Sequence, residues 1–253
     1  MSRVILLDIE GTVSPLAFVH EVMFPYARLR LASFLAARWH TPEVLATVRQ
    51  MARDAGYASF AEWCPPSAKP EVFAAEEALK LMDADIKATG LKMLQGLIWE
   101  QGFHDGALRS TLFDDVPAAL QAWHTDGHDL RIYSSGSVHA QKLFFAHTEA
   151  GDLTPLFSAY YDTTIGSKRE AESYRRIAAD GQTTAADILF ISDVVAELDA
   201  ARSAGMDTRL AIRPGNVPPP AHDHATVHTF ADIPVSGLQR CADPIETLPQ
   251  SLA

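Results

Sequence analysis

A short series of polar residues stands just behind apolar runs along the chain. Asp8 and Glu10 follow the first run, Ser134 and Ser135 the second, Lys168 lies in the loop after the third, and Asp193 follows the fourth, with Glu197 one helical turn further on. These are acids, hydroxyls and one cation. Carboxylates with ordinary pKa values are all charged at pH 7, and a pair about 4 Å apart repels by roughly 4 kcal/mol at an effective dielectric of 20. If the acids converge, something positive must hold them. A hard divalent cation with oxygen ligands meets that need, Mg²⁺ by preference because it commonly takes one or two carboxylates together with substrate phosphate. Lys168 and the serine hydroxyls would then face phosphate oxygens. Taken singly each residue has a plainer reading: Asp193 could cap a helix beginning at Val194, Lys168 could be a surface lysine, and Glu197 could hold a metal-bound water, orient Lys168 or be merely exposed.

The elements that would position these residues follow from the apolar runs themselves. Arg3 to Asp8 is a short continuous apolar stretch ending in an acid, as expected of a strand buried on both faces, and similar runs occur at Leu130 to Tyr133, Ala159 to Tyr161, Ile188 to Ile191 and Arg209 to Ile212. Helical stretches alternate with them at Val116 to Trp123, Ser137 to Ala146, Glu170 to Ala179 and Val194 to Ala204, the last closed by Gly205. Strand and helix in alternation favour right-handed parallel crossovers, so the expected class is α/β, a Rossmann-like doubly wound parallel sheet with ligands beyond the carboxyl ends of its strands.

From Phe18 to Phe103 the alternation stops and only helical periodicity remains. Phe24, Ala27, Leu31, Phe34 and Leu35 form one stripe; Thr41 and Pro42 read as N-cap and first helical residue ahead of Leu45, Val48 and Met51. Further stripes run through Val72, Ala75, Leu79 and Met82 and through Leu91, Leu94 and Ile98, with Cys64-Pro65-Pro66 as an irregular link. The expectation is an all-helical insert of four helices: residues 17–107 as a cap, with 1–16 and 108–253 as the core. The aromatics Phe24, Tyr26, Trp63, Trp99 and Phe103 read first as insert core and second as a pocket lining.

The chain has 253 residues, 47% apolar, with 21 Lys and Arg against 32 Asp and Glu for a net charge of −11. Such an acidic balance disfavours nucleic acid and anionic membranes, and the Val4 to Leu7 run is far short of the roughly 20 residues of a membrane span. No nucleic-acid or membrane partner is expected, and the cytoplasm is the expected compartment. Cys64 and Cys241 show no pairing or zinc spacing, and His222, His224 and His228 read as a solvated loop leading into a short strand rather than as metal ligands.

Asp8-Ile9-Glu10-Gly11-Thr12, Ser134, Lys168 and Asp193 resemble the four ordered motifs of the haloacid dehalogenase superfamily, and the helical insert sits where that superfamily carries a cap. Glu10 stands where most members have aspartate. With Ala17-Phe18-Val19, Phe24-Pro25-Tyr26, Met82-Asp83-Ala84-Asp85, Leu94-Gln95-Gly96, Tyr133-Ser134-Ser135-Gly136-Ser137 and Arg213-Pro214-Gly215-Asn216, the chain resembles the enolase-phosphatases, or acireductone synthases, of methionine salvage. The resemblance implies a Mg²⁺-dependent bifunctional hydrolase acting on a small phosphate ester. It would enolise 2,3-diketo-5-methylthiopentyl-1-phosphate and then remove its phosphate to give 1,2-dihydroxy-5-methylthiopent-1-en-3-one. Asp8 would be the nucleophile, forming an aspartyl phosphate, Glu10 the acid/base, and Lys168 the neutraliser of phosphoryl charge. Ser134 and Ser135 would bind phosphate with Lys168, and the metal would take Asp8, Asp193 and the Glu10 carbonyl. A monomer is implied too. The base for enolisation stays open among Glu10, His20 and Glu21, and Arg213-Pro214-Gly215-Asn216 reads as a structural turn with the arginine paired to an acid. A promiscuous small-metabolite phosphatase and a phosphate-binding regulator without turnover are the rival readings.

Overall fold

The computed structural model describes residues 3–233 of the chain. Strands β1 (Val4–Leu7), β2 (Asp129–Tyr133), β3 (Phe157–Tyr161), β4 (Ile188–Ser192), β5 (Asp207–Ala211) and β6 (Thr226–Val227) form one parallel sheet in the order β3-β2-β1-β4-β5-β6. From central β1 the chain builds outward through β2 and β3, then crosses back to build the other half through β4, β5 and β6. The switch point therefore lies between β1 and β4, where a doubly wound sheet opens a crevice beyond its strand ends.

β1 is all apolar because both of its faces are covered. Ile5 and Leu7 point into one core with Trp123, Ile132, Phe145 and Ile191, while Val4 and Leu6 point into the other with Tyr133, Tyr174, Phe190 and Leu198. Helices α6 (Val116–Thr125), α7 (Val138–Ala146), α8 (Ala171–Asp180) and α9 (Val195–Ser203) supply the covering layers. Each expected run overlaps a strand, with Arg3, Asp8 and Ile212 just outside, and each expected helix is present. The runs at 159 and 209 begin late: β3 starts at Phe157 and β5 at Asp207. The early pair Phe157-Ser158 is of mixed polarity and the pair Asp207-Thr208 is polar, with Ser158 and Asp207 exposed, so a search for continuous apolar stretches passes over them.

Between β1 and α6 the chain is helical throughout: a π-helical turn (Phe18–Met23), then α1 (Phe24–Arg38), α2 (Pro42–Asp54), α3 (Phe60–Trp63), α4 (Pro70–Asp83) and α5 (Thr89–His104). The single-turn α3 and the π-helical turn add to the four helices expected. Thr41 caps α2, accepting from Val44 N at 3.4 Å with Pro42 in the first turn. α2 packs on α5 and α1 on α4 around Leu31, Leu35, Val48, Met51, Leu94 and Ile98, a core of their own. Tyr26 and Trp99 lean on both this core and the sheet's. Phe103 is buried, whereas Phe24 is exposed.

Among the described residues no helix is long and apolar enough to cross a membrane. Cys64 is free and half-buried, and Cys241 lies outside the described residues. The histidine loop differs from its expected solvated state: His224 is buried, with Nδ1 2.7 Å from Thr208 Oγ1 and Nε2 3.0 Å from Asp199 Oδ1. It ties the loop to β5 and α9, so the segment leading into β6 is anchored by a side chain that local polarity makes look solvated.

Candidate active site

Parallel pairing brings the strand ends together. Leu7 is level with Ile132 on one side and Ile191 on the other, so Asp8 emerges beside Tyr133-Ser134 and beside Ser192-Asp193. Asp8 N donates to Ile191 O at 3.0 Å, the last rung before the strands part. Asp8 is buried, and its Oδ1 accepts from Ile9 N at 2.8 Å, which fixes its rotamer against its own backbone.

Lys168 is buried as well, against the surface reading for it. Its Nζ sits 2.6 Å from Asp8 Oδ1 and 2.7 Å from Glu197 Oε2. Of the readings open for Glu197, the distances favour orienting Lys168. Ser192, which no motif had singled out, lies between the two acids: its Oγ is 3.2 Å from Asp8 Oδ2 and 3.0 Å from Glu197 Oε2, and it accepts from Val194 N at 3.1 Å. Asp193 does not cap α9. Val194 is the N-cap, without a side-chain bond, and the Asp193 carboxylate turns toward Gly11 and Asn216.

The loop after β1 is wound tightly enough to aim Glu10 back at the strand end. Ile9 O accepts from Thr12, Val13 and Ser14, and Gly11 N donates to Ser14 O at 2.8 Å. Gly11 has φ +72, a left-handed conformation that glycine takes without cost. The Arg213-Pro214-Gly215-Asn216 turn clamps this loop. Asn216 Nδ2 donates to Gly11 O at 2.8 Å and lies 3.3 Å from Asp193 Oδ2, while Arg213 Nε donates to Thr12 O at 3.0 Å. Arg213 Nη1 meets both oxygens of Asp115 at 3.0 and 2.9 Å, the expected acid partner, and the guanidinium lies between the rings of Phe113 and Phe230.

Ser134 is buried at the end of β2, where its Oγ accepts from Gly136 N at 3.2 Å. Ser135 is exposed in the same loop. His20 and Glu21 sit exposed on the π-helical turn, and the charges of His20 and of Lys87, between α4 and α5, both reach Glu10. Lys87 belongs to no strand-end motif, and only the folding of the insert over the sheet brings it near.

Burial and mutual repulsion dominate the electrostatics. Asp193 is pushed up to about 7, first by desolvation and then by Asp8. Burial, then Asp8, raises Glu10 against the pull of Lys168, His20 and Lys87. Glu197 is raised in the same way despite the ammonium at 2.7 Å. Lys168 is held firmly protonated because Asp8 and Glu197 outweigh its own burial. Asp8, Glu10, Asp193 and Glu197 thus outnumber Lys168, the ammonium in their midst. This all-oxygen, charge-excess donor set suits a hard divalent cation. Among the described residues no three acidic, histidine or cysteine side chains form a metal-binding group.

A pH dependence of stability follows for chelator-treated protein. Asp193, Glu10 and Glu197 have folded pKa values above their unfolded ones, so the folded state binds the extra protons between about pH 4 and 7. Stability should therefore fall as pH rises through that window and level off above it, while the Lys168 contribution is constant there. The Tm by calorimetry is expected to drop from pH 5 to pH 8 and to be restored at pH 8 by Mg²⁺. A Tm that rises with pH, or ignores the metal, contradicts the charge-excess description.

Comparison with known proteins gives the family and the fold. Residues 3–205 match the family model described as haloacid dehalogenase-like hydrolase. The chain is similar to "Enolase-phosphatase E1" of Synechococcus elongatus, 47% identical over 230 residues, 90% of this chain and 96% of that one. It is also similar to the protein of that name from Stenotrophomonas maltophilia, 47% identical over 236 residues, 91% of this chain and 98% of the other. Among solved structures, the UTR4 protein of Saccharomyces cerevisiae superposes with a TM-score of 0.76 at 31% identity, covering 92% of this chain and all of that one.

Proposed function

The chain belongs to the haloacid dehalogenase-like hydrolases and, within them, to the enolase-phosphatases, and from that premise we propose that its single crevice first enolises and then dephosphorylates 2,3-diketo-5-methylthiopentyl-1-phosphate. It is an enzyme of methionine salvage, and the products are the acireductone and inorganic phosphate. The observation that carries the site assignment is the buried contact of Lys168 Nζ with Asp8 Oδ1 at 2.6 Å, at the sheet's switch point and among three further carboxylates.

Asp8 is the nucleophile. Its charged carboxylate needs no prior deprotonation, and attack on phosphorus forms the aspartyl phosphate as the bond to the substrate oxygen breaks. Lys168 neutralises the transferring phosphoryl charge, and Ser134 and Ser135 hold phosphate oxygens, Ser134 from its buried place at the end of β2 and Ser135 from the exposed loop beside it. Mg²⁺, held by Asp8, Asp193 and the Glu10 carbonyl, would supply positive charge to the phosphoryl oxygens. Residues 17–107 act as the cap that screens the crevice and bring His20 and Lys87 toward Glu10.

Glu10 is the acid and base. Burial, and then the Asp8 charge, raises the Glu10 carboxyl above its ordinary value, the direction that helps it give up a proton as well as take one. It removes the proton from the carbon bearing the phosphate ester, next to the carbonyl, and returns a proton to the oxygen leaving phosphorus. It then takes a proton from the water that attacks the aspartyl phosphate, which frees Asp8 and releases phosphate, and passes that proton to the enolate oxygen left by the first step, so that the acireductone leaves with both hydroxyls and Glu10 is again a carboxylate. Glu10→Gln is expected to lose dephosphorylation by roughly 10²–10⁴-fold and also to lose exchange of the substrate proton in D₂O. Exchange at the wild-type rate in this variant shifts the enolisation base to His20 or Glu21.

The reading as a whole is tested by mixing the protein with the diketo phosphate and Mg²⁺ while following the enol chromophore and phosphate release. The chromophore should precede or accompany phosphate, and kcat/KM should exceed that for generic phosphate esters. Equal values would indicate a promiscuous phosphatase, and no turnover of any phosphate a regulator.

A further inference from the structure

The loop that carries Lys168 is held carbonyl by carbonyl. The Tyr133 hydroxyl donates to Gly166 O at 3.0 Å, Ser173 Oγ to Ser167 O at 2.7 Å, and the Tyr174 hydroxyl to Lys168 O at 2.7 Å. Arg176 Nη1 adds Ile165 O at 3.2 Å. The three hydroxyls come from elements fixed independently of the loop, Tyr133 from the last residue of β2 and Ser173 and Tyr174 from the first turn of α8.

These residues are themselves immobile. Tyr133 and Tyr174 are fully buried and meet edge to face with ring centroids 5.5 Å apart, and Tyr174 packs on Phe190 at 5.2 Å. The Tyr133 ring also lies 5.8 Å below the Lys168 ammonium, within reach of a cation–π attraction. Gly166, at φ +144, lets the loop close against Ser173, because a Cβ there would lie 3.1 Å from Ser173 Cβ and overlap its hydroxyl.

Phenylalanine would fill the Tyr174 position equally well by shape, so packing alone does not account for the hydroxyl. A lysine side chain has four rotatable bonds, and its ammonium serves as a precise charge only if its Cα is fixed. We propose that Tyr174, together with Ser173 and Tyr133, is a positioning residue that sets the height of the Lys168 ammonium over the phosphoryl group. Ser173 and Tyr174 act through the backbone of residues 167 and 168, and Tyr133 through Gly166 O and its ring face beneath the ammonium. The inference rests on the phosphate-facing role given to Lys168 above.

The test uses the full chain with Tyr174→Phe and Ser173→Ala, each alone and on a Lys168→Met background. Readouts are orthovanadate and inorganic phosphate affinity by calorimetry with Mg²⁺ present, kcat and KM, the Mg²⁺ concentration for half activation, and Tm. Loss of one backbone hydrogen bond should weaken anion binding and lower kcat/KM by about five- to tenfold, leave half activation by Mg²⁺ unchanged, and have no further effect on anion binding once Lys168 is gone. A purely structural role would move Tm and leave anion affinity alone, or would weaken the anion equally with and without Lys168; either result overturns the proposal. A wild type that binds vanadate without turning over the diketo phosphate would sink the assigned reaction while the anion titrations still decide this inference. A wild type that binds neither anion ends both.

Discussion

Asp8→Asn is expected to stop phosphate release, by roughly 10⁴-fold or more as for removal of other nucleophiles, while leaving the protein folded. The asparagine keeps the acceptor for Ile9 N. Breaking a buried ion pair commonly costs about 3–5 kcal/mol because it strands the partner charge, yet here Lys168 keeps Glu197 at 2.7 Å. Removing the Asp8 charge also relieves Asp193, Glu10 and Glu197, each of which Asp8 pushes upward. The metal-free variant should therefore melt at or above the wild-type temperature. Its enolisation signal should persist, since Glu10 is untouched. Phosphate release near the wild-type rate would remove Asp8 from the reaction.

Gly11→Ala should be nearly as damaging although it changes no chemical group. At φ +72 the alanine is strained by roughly 1–2 kcal/mol. Its Cβ would lie 2.6 Å from Asp193 Cγ and 3.2 Å from Asn216 Nδ2, both of which must move. Displacing a metal-orienting contact typically costs about 10–100-fold in metal affinity. Mg²⁺ titrations by calorimetry should show a loss of that order, and activity should recover in part at high Mg²⁺. Unchanged Mg²⁺ affinity would mean that Asp193 does not hold the ion.

The strand ends were legible because a strand buried on both faces must be apolar throughout, so the first polar residue after each run marks where the sheet opens. Asp8 and Ser134 could be found that way, Asp193 lies one residue past the first polar position, Ser192, and Lys168 in the loop beyond the third run, while Thr41-Pro42 follow from the capping rule. Periodicity reports which face a residue takes and not how far it lies from another part of the chain. The choice among readings of Glu197, the bridging place of Ser192 and the approach of Lys87 to Glu10 depend on strand register and on how the insert folds back. The rings of Tyr133 and Tyr174 are core, and only the destination of each hydroxyl tells them from phenylalanine. The burial of His224 likewise depends on partners in other elements, Thr208 of β5 and Asp199 of α9.

The place of β1 at the centre of the sheet sets the order in which a nascent chain can fold. Val4 pairs with Asp129 on one side and Ile188 on the other, so the first strand to leave the ribosome has no partner until the chain has grown past 129 and no second one until past 188. At about 5–20 residues per second the wait for the second partner is roughly 10–40 s, during which Val4-Ile5-Leu6-Leu7 presents a strongly apolar edge on its β4 side even after β2 has paired. The helical residues between β1 and β2 can gather into a core of their own before either partner exists, and the segment next to the nucleophile is closed on its second side only when β4 docks along it.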